Sequence, residues 1–358
     1  MDNIKKKIGI YSPYLNIFGG GERYILSIAE LLAKDNYVYL FEEYKLKQKV
    51  RDYFDISLDK VNFVSNGLFL TKNIINKYIS LKKMDYFFYM TDGSLFFSPA
   101  KKNYLIIQSP SHIPPLTKLN RIKLVNWDCI CYSQFMKDII LKKLKKKAII
   151  LPPPVATNKF ISKLSKKKNI ILTVGRFFRH LHDKKQQFLL DVFIDNHKTL
   201  FKNWKLVIAG GLTENKESSY VEDLKIKSKG CPVSILVNPK FEDLVSIYSE
   251  SKIYWHATGY GEDIDRYPER AEHFGITTLE AMSGECVPVV ISMGGQKELV
   301  TEGINGYLWS TKNDLVSKTS LLINNPELLK DLSPLARKRA LDFSYDVFYG
   351  KLKKIIEN

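Results

Sequence analysis

Two glutamates separated by seven residues, Glu272 and Glu280 in the segment EHFGITTLEAM, are the first candidates for chemistry in this sequence. Residues 276 to 284 have the composition of a short helix. Glu272 then lies in the loop before the helix and Glu280 in its second turn, about 12 Å further along the axis at most. The free amide groups of the first turn form an anion site between them. A ligand with a central diphosphate and hydroxyl groups at both ends fits this arrangement, although most surface glutamates only bind water.

Two cations stand where they could neutralise such a diphosphate. Arg176 follows a predicted strand and Gly175, so it projects from a strand end, and Lys184 is predicted to open the next helix. Arginine can bind a phosphate through two parallel hydrogen bonds, whereas lysine supplies a point charge. Taken singly, each residue could equally be a solvated cation in a loop.

Two further pairs of glycines occur where backbone could approach a ligand. Gly20 and Gly21 lie in FGGGER, which is predicted to be a tight turn, and Gly294 and Gly295 follow the apolar run CVPVVIS. A residue without a Cβ atom lets a bound group come close to the main chain.

The elements that must position these residues alternate between strand and helix. Continuous apolar runs are typical of strands that are buried on both faces of a parallel sheet. The sequence therefore predicts an α/β fold with helices on both sides of the sheets. The predicted strands are 8–12, 37–41, 61–65, 86–90, 104–108, 129–133, 148–152, 169–177, 204–211, 233–238, 252–258 and 286–292, with helices at 22–34, 241–251 and 276–284 among those between them.

A run of three prolines at 152–154, followed by the lysine-rich segment 163–169, interrupts this alternation. Proline cannot continue a strand ladder or a helix, so we place a domain boundary here. The predicted domains are 1–155 and 156–340, with a C-terminal helix at 341–358 that could cross back to the first domain. Ligands of open α/β sheets bind at the carboxyl ends of the strands, which predicts a cleft between the two domains.

Composition gives weaker information about partners. The 358 residues carry a formal net charge of +17, which favours anionic partners but equally fits a general lysine bias. The lysines are scattered and accompany no recognition motif, so nucleic acid is not an expected partner. The four cysteines form no metal-ligand pattern, so we expect buried, reduced thiols in the cytoplasm and no metal.

The N-terminus lacks the pattern of a signal peptide, and no apolar run is long enough to span a membrane. Two basic stretches could nevertheless contact anionic lipids at the inner face of the cytoplasmic membrane. Residues 135–147 are predicted to be a helix ending in five lysines, and residues 70–83 an amphipathic helix. Lysine near a helix C-terminus also simply stabilises the helix dipole, so both readings remain open.

Several motifs in register resemble one known family. GGGER, VGRFF, HDKKQ, YWHATG, EHFGITTLEAM, VPVV and GGQKELVTEGINGYL are similar to the motifs of glycosyltransferase family 4, which has the GT-B fold of two Rossmann-like α/β/α domains facing across a cleft. The resemblance is dense over residues 170–310 and looser over the first 155.

This resemblance implies a retaining, metal-independent transfer of a sugar from a nucleotide-diphosphate sugar, with no cofactor. The C-terminal domain would bind the donor and the N-terminal domain the acceptor. By motif, Glu272 would hold the donor sugar hydroxyls, Glu280 the ribose hydroxyls, and Arg176 and Lys184 the departing diphosphate. The other donor-binding residues implied by the resemblance are Gly275, Ile276, Thr277, Gly20, Gly21, Gly175, Gly294 and Gly295.

The acceptor side departs from the family pattern. Relatives often have a histidine where this chain has Gln108, and His112 follows four residues later. Gln108 could bond a sugar hydroxyl but cannot act as a base, and His112 is a weaker candidate. His256 and His273 are expected near the donor site. The family context suggests GDP-mannose or a UDP-hexose as donor, and a glycan or lipid-linked glycan of the cell surface as acceptor.

Three alternatives compete with a transferase. A nucleotide-sugar epimerase on the same fold would need no acceptor, and a glycan-binding or scaffold protein would need no cations for a leaving group. A nicotinamide dehydrogenase is suggested by the glycines near residue 20 and by Glu42 or Glu43 about 20 residues later. FGGGER lacks the G-x-G-x-x-G spacing of dinucleotide-binding proteins, which counts against this last alternative.

Overall fold

The computed structural model describes residues 5–17, 19–70, 74–160, 167–179, 183–212 and 218–357. The chain forms two compact units. The N-terminal unit comprises residues 1–154 and 348–358, and the C-terminal unit comprises residues 155–347. The division after Pro154 lies next to the predicted boundary between residues 155 and 156.

The N-terminal unit is built on one parallel sheet with the strand order β3-β2-β1-β4-β5-β6-β7. All five residues of the central strand YFFYM are buried, as its unbroken apolar sequence predicts. The strands are β1 (Lys7–Tyr11), β2 (Tyr37–Phe41), β3 (Val61–Val64), β4 (Tyr86–Met90), β5 (Lys102–Ile106), β6 (Asp128–Cys131) and β7 (Ala148–Ile150).

The C-terminal unit is built on a second parallel sheet with the order β10-β9-β8-β11-β12-β13. The predicted α/β class with two parallel sheets is therefore confirmed. Several predicted strands were too long at their carboxyl ends, because apolar residues such as Phe177 continue into the loops. The strands are β8 (Lys168–Val174), β9 (Lys205–Gly210), β10 (Val233–Val237), β11 (Ser251–His256), β12 (Val287–Ile291) and β13 (Tyr307–Trp309), of which β13 was not predicted.

Helices cover the sheets of both units. No helix within the described ranges is both long enough and apolar enough to cross a membrane. The helices are α1 (Gly20–Leu32), α2 (Leu46–Phe54), α3 (Gly67–Leu70), α4 (Ile74–Lys82), α5 (Lys118–Leu124), α6 (Gln134–Leu144), α7 (Gln186–Asn196), α8 (Ser218–Lys227), α9 (Phe241–Glu250), α10 (Ile276–Ser283), α11 (Gln296–Leu299), α12 (Lys312–Asn324), α13 (Pro326–Leu341) and α14 (Tyr345–Glu357), with 3-10 turns at Pro110–His112 and Pro268–Arg270.

Three local predictions need correction. Gly20 and Gly21 belong to α1 rather than to a tight turn; Phe18 lies outside the described residues. The predicted helix 135–147 ends at Leu144, because Lys145 adopts a left-handed conformation with φ 56° before β7 begins. The predicted helix 70–83 is two helices, α3 and α4, and residues 71–73 between them lie outside the described residues.

The C-terminal helix α14 packs on the N-terminal unit from Phe348 onward. The Tyr104 hydroxyl donates to the carbonyl of Ile355 at 2.8 Å, and Lys353 forms an ion pair with Asp35 at 2.8 Å. These contacts join the last helix to strands and loops more than 200 residues earlier. The cysteines are unpaired thiols, and Cys231 is half-buried rather than buried as predicted.

Candidate active site

The predicted site residues of the C-terminal unit gather at the carboxyl ends of two adjacent strands. β8 and β11 run parallel, with Leu172 opposite Tyr254, so the ends of both strands meet at one edge of the sheet. Arg176 follows β8, and His256 is the last residue of β11. This is the edge where open parallel sheets bind their ligands.

Glu272 is the centre of a charged cluster at this edge. Its Oε2 atom accepts hydrogen bonds from Lys184 Nζ at 2.6 Å and from His256 Nε2 at 3.1 Å. The Glu272 and Lys184 side chains are only 17% and 19% exposed. Burial alone raises the pKa of Glu272, but the charge of Lys184 and the contact with His256 outweigh it and hold the pKa well below its usual value. Glu272 is therefore an ionised, acceptor-only group at neutral pH.

His256 is the second member of this cluster. Burial lowers the pKa of its imidazole, against the opposing effect of Glu272, so the ring is neutral. A neutral ring has one N–H group, and the carboxylate partner requires that group to be on Nε2. The Thr258 hydroxyl lies 3.3 Å from the same nitrogen. Nδ1 is buried and has no hydrogen-bond partner within the described part of the chain.

Lys184 lies elsewhere than the sequence predicts. It does not open a helix: α7 begins two residues later at Gln186, after Lys185 takes a left-handed conformation. The aliphatic part of Lys184 crosses Gly175, where an added Cβ atom would lie 2.7 Å from its Cγ. The glycine thus lets Lys184 reach Glu272, a contact between residues 88 positions apart.

Arg176 differs from Lys184 in having no carboxylate partner among the described residues. Its side chain is exposed, while its main chain is fixed. Gln186 Nε2 donates to the carbonyl oxygens of Gly175 and Arg176, at 3.2 and 3.0 Å, and Tyr220 donates to Gln186 Oε1 at 3.2 Å. A guanidinium on a fixed strand end, without an internal anion, can bind an external one.

The mouth of α10 is enclosed by two glycine-containing segments. Gly275 has φ 112° and an added Cβ atom would lie 2.5 Å from Gln296 Nε2. A Cβ atom on Gly294, which has φ 55°, would lie 2.2 Å from the Glu272 carbonyl, and Gly295 N donates to that carbonyl at 2.8 Å. The sequence predicted that backbone would approach a ligand at these glycines. In the structure, at least part of this close approach is between two loops of the protein itself. It fixes the position of Glu272.

Two tyrosines hold α10 in place. Tyr254 donates to the Thr277 hydroxyl at 2.8 Å and approaches the Val174 carbonyl at 3.4 Å, which connects the first turn of α10 to the end of β8. Tyr248 donates to Glu280 Oε2 at 3.2 Å. Ile276 and Thr277 are half-buried. Their main-chain N–H groups have no acceptor within the helix, because the first such bond runs from the N–H of Thr278 to the Gly275 carbonyl at 3.1 Å.

A second ion-pair cluster, not predicted from the sequence, lies beside the first. Glu262 accepts from Lys185 at 2.6 Å and from Arg270 at 2.8 Å, and Lys185 also lies 3.4 Å from Asp183. The hydrogen bonds from Lys185 and Arg270 lower the pKa of Glu262. This cluster ties the loop before α7 to the loop after β11.

Several structural partners of the site escaped the sequence analysis. The side chains are those of Tyr248, Tyr254, Gln186, Gln296 and Glu262, which contact residues distant in the sequence. Tyrosines within or near apolar strands and helices are typical of core positions, so nothing in the sequence distinguishes these two from the rest of the core. The adjacent lysines Lys184 and Lys185 were a weak signal of a charged site. In the structure they bind two different glutamates, Glu272 and Glu262.

The acceptor-side predictions and the first pair of glycines lie in the N-terminal unit. A Cβ atom on Gly21 would lie 1.8 Å from Gln108 Oε1, so the start of α1 leaves space for this amide. Gly20 is the first residue of α1. His112 stacks on Tyr14 with ring centroids 5.7 Å apart, and burial lowers the pKa of its imidazole.

The described ranges contain no group of three or more His, Cys, Asp or Glu side chains close enough to hold a metal ion.

Comparisons with known proteins agree with the geometry. The sequence model of a family described as glycosyl transferases group 1 matches residues 155–339. The chain is 27% identical, over 64% of its length, to an uncharacterized glycosyltransferase of Methanocaldococcus jannaschii, and 28% identical, over 63%, to the O-antigen chain mannosyltransferase of Salmonella typhimurium. It spans 58% and 57% of the lengths of these relatives.

Among solved structures, the chain is similar to the Anabaena protein HepE, which was crystallised in complex with UDP. The TM-score is 0.74 at 16% sequence identity, and the match covers 99% of this chain and all of that one. At this level of identity the likeness establishes the fold, and it confirms the predicted two-domain α/β architecture.

Proposed function

Because the chain belongs to the glycosyl transferases group 1 family, we propose that it transfers a hexose from a nucleotide-diphosphate sugar to a glycan or lipid-linked glycan. The observation that carries this proposal is the Glu272 cluster, in which an ionised carboxylate lies between Lys184 and a neutral His256 at the carboxyl edge of a parallel sheet. GDP-mannose and UDP-hexoses are the leading donors. A relative named as a mannosyltransferase supports the first, and a similar fold crystallised with UDP supports the second.

Glu272 and Glu280 would bind different parts of the nucleotide sugar. Glu272 accepts hydrogen bonds only, which suits the hydroxyl groups of the transferred sugar. Glu280, on α10, would accept from the ribose hydroxyls, with Tyr248 holding its other side. The first-turn amides of Ile276 and Thr277 would face the diphosphate between them.

Departure of the diphosphate is the step that these residues would accelerate most. The bond between the sugar and the phosphate oxygen breaks, and negative charge grows on the diphosphate while the sugar becomes oxocarbenium-like. Arg176 has no internal carboxylate partner in the described chain, so its full charge is available for the leaving group. Lys184 would move from Glu272 toward the diphosphate or share its three N–H donors between them.

We propose that the transfer retains the anomeric configuration and needs no metal ion. Glu272 already accepts two strong donors, so it is a poor candidate for a covalent nucleophile. The acceptor hydroxyl would then attack the anomeric carbon from the face that the diphosphate leaves, and an oxygen of the leaving phosphate would take the hydroxyl proton. Gln108 lacks a titratable group and would only orient the acceptor. Proton NMR of the product, compared with the donor, tests retention directly.

The first experiment is a thermal-shift and hydrolysis screen with the full chain. The ligands are GDP-mannose, UDP-glucose, UDP-galactose, their N-acetyl forms and the free nucleotides. A ligand that binds only the folded state stabilises it by RT ln(1 + [L]/Kd), where [L] is the free ligand concentration. The proposal expects a selective rise in melting temperature with slow release of GDP or UDP. If no nucleotide sugar shifts the melting temperature at millimolar concentration, a scaffold role replaces it.

A matched variant separates specific binding from general charge. Arg176→Ala should reduce the shift caused by nucleotide sugars, whereas Arg121→Ala, which removes an exposed arginine of the other unit, should leave it unchanged. Equal losses in the two variants would mean that the nucleotides bind the basic surface at large.

A further inference from the structure

Helix α4 exposes its apolar side to solvent. Ile74 and Ile75 are 75% and 72% exposed, and Tyr78 and Ile79 are also exposed. All residues of this helix are described, and Leu81 alone among them is buried. A surface helix normally turns its apolar stripe toward the core, so this orientation is the reverse of the usual one. The sequence predicted the amphipathic pattern but not which side faces outward.

Helix α5 has the same character. Leu119 and Ile122 are exposed, and Val125, directly after the helix, is 81% exposed. The spacing of three residues places these side chains on one side of the helix. Leu124 is the residue of this helix that is buried, and the whole helix is described.

One short segment of chain lies between the two helices. The ring of Phe96 is 5.0 Å from Lys77 Nζ of α4, and the exposed ring of Phe97 is 5.9 Å from Lys123 Nζ of α5. Lys123 also donates to the Leu95 carbonyl at 2.8 Å. Residues 95–97 therefore contact both helices, which places α4 and α5 in one region of the N-terminal unit. We call the exposed apolar side chains of this region the apolar face: Ile74, Ile75, Ile79, Phe97, Ile122 and Val125.

The chain segments that carry the apolar face contain basic residues and no acidic ones. Residues 60–84 and 93–127 contain no aspartate and no glutamate. Lys82 follows the exposed residues of α4, and Lys118 and Arg121 lie on α5; all three side chains are exposed. None of the three has an ion-pair partner in the part of the chain that the structure describes.

The chemistry of this surface fits a lipid bilayer better than a protein partner. The central residues of protein–protein interfaces are depleted in lysine and enriched in arginine and aromatic residues. Here the apolar side chains are mostly aliphatic and their charged neighbours mostly lysine, whose ammonium group can reach anionic headgroups while its methylene chain lies along apolar surface.

We propose that the apolar face docks the N-terminal unit onto a membrane containing anionic lipids. Ile74, Ile75 and their neighbours would enter the boundary between headgroups and acyl chains, and Lys82, Lys118 and Arg121 would bind headgroup phosphates. This surface lies in a different unit from the donor cluster, so the proposal stands independently of the proposed activity. A lipid-linked acceptor would be reached at the same membrane.

Helix α6 supplies the contrast. It carries the other basic stretch that the sequence marked for membrane contact, with exposed Lys142 and with Lys147 beyond its end. Its exposed large apolar residue is Leu141 alone among those described. A helix that has basic side chains but little exposed apolar area binds membranes weakly. Substitutions of lysines on α6 are therefore the control for substitutions of the basic residues of α4 and α5.

The test is flotation of the full chain, without any donor, with vesicles of phosphatidylcholine and phosphatidylglycerol. Ile74→Ser combined with Ile75→Ser should reduce binding roughly tenfold or more, whereas Ile226→Ser, at a position that is 73% exposed in the other unit, should not. Lys82→Ser combined with Lys118→Ser should lower binding by roughly fivefold per charge. Vesicles of phosphatidylcholine alone should bind weakly.

Three results would overturn the proposal. The first is binding of the Ile74/Ile75 variant equal to that of the wild type. The second is an equal loss in Lys142→Ser combined with Lys147→Ser, which would assign binding to overall charge. The third is a wild-type dimer in light scattering that the isoleucine substitutions dissociate while vesicle binding is unchanged, which would make the face a protein interface. Because the substituted side chains are exposed, unchanged melting temperatures are expected throughout.

Discussion

Replacing Lys184 with methionine removes the Nζ atom that lies 2.6 Å from Glu272 and keeps most of the side-chain volume over Gly175. Breaking a fully buried ion pair costs about 3–5 kcal/mol, and an exposed pair contributes about 0–1 kcal/mol. The two side chains are 19% and 17% exposed, which places this pair between the limits. We therefore expect Lys184→Met to lower the free energy of unfolding by about 1–3 kcal/mol at neutral pH.

The effect should depend on pH with a definite sign. In the wild type the folded pKa of Glu272 is depressed, so its contribution is present above the unfolded value and is lost as pH falls through the folded pKa. Without Lys184, only His256 opposes the effect of burial, so the folded pKa of Glu272 rises toward or above its unfolded value. Protonation of Glu272 therefore costs the variant less stability in acid than it costs the wild type. The difference in free energy of unfolding between wild type and variant should therefore narrow as pH falls below neutrality, between the raised folded pKa of Glu272 in the variant and its depressed folded pKa in the wild type.

Urea unfolding followed by tryptophan fluorescence measures this effect. Trp204, Trp255 and Trp309 lie in the C-terminal unit and Trp127 in the other, so the signal reports mainly the unit that contains the pair. The control is Lys225→Met, which breaks a 2.7 Å pair with Glu222 whose side chains are 48% and 61% exposed. Equal losses in Lys184→Met and Lys225→Met, or a difference that does not narrow in acid, would refute the reasoning.

Three further predictions concern the candidate site and its proposed chemistry. His256→Gln keeps an N–H group near Glu272 and should hold kcat/KM for the nucleotide sugar within about threefold of the wild-type value. His256→Leu should lower the same kcat/KM by about tenfold or more. Equal values in the two variants would contradict the role of His256 as a hydrogen-bond donor to Glu272. Gly294→Ala should lower the free energy of unfolding by well over 1 kcal/mol, because it adds a 2.2 Å contact to an unfavourable φ. Gly303→Ala, at φ 71° with no atom within 4 Å, should cost only about 1 kcal/mol, and thermal melts of the two variants would show the difference. Donor turnover should be unchanged by EDTA, and a loss restored by added Mg²⁺ or Mn²⁺ would contradict metal independence.

Much of the fold could be predicted because the signal is local. Unbroken apolar runs such as 86–90 and 287–291 are buried at every position. The chain needs no distant partner to make these runs strands of a covered parallel sheet. The strand β13 was missed because three residues are too few to show a pattern.

The site was only partly predictable, because its contacts are distant in sequence. The motifs placed Arg176, Glu272 and Glu280 in one unit, but they did not reveal that Lys184 binds Glu272 across 88 positions. They also could not show that Gly294 is required by the backbone of Glu272, since glycine serves ligands and loops alike.

The orientation of α4 was unpredictable for a related reason. Periodicity shows that a helix has an apolar side, but the rest of the fold decides whether that side meets the core or the solvent. Here the apolar side, with Ile74 and Ile75, faces the solvent.

The central claim is that Arg176 and the Glu272 cluster accelerate departure of the diphosphate from a nucleotide sugar. Its most direct test compares single-turnover sugar release by the wild type and by Arg176→Ala, with the donor Kd measured on the same samples. The account predicts a fall in rate of about a hundredfold with a change in Kd below about tenfold, because Arg176 acts mainly on charge that develops in the transition state. Equal losses in rate and affinity, or an unchanged rate, would contradict it.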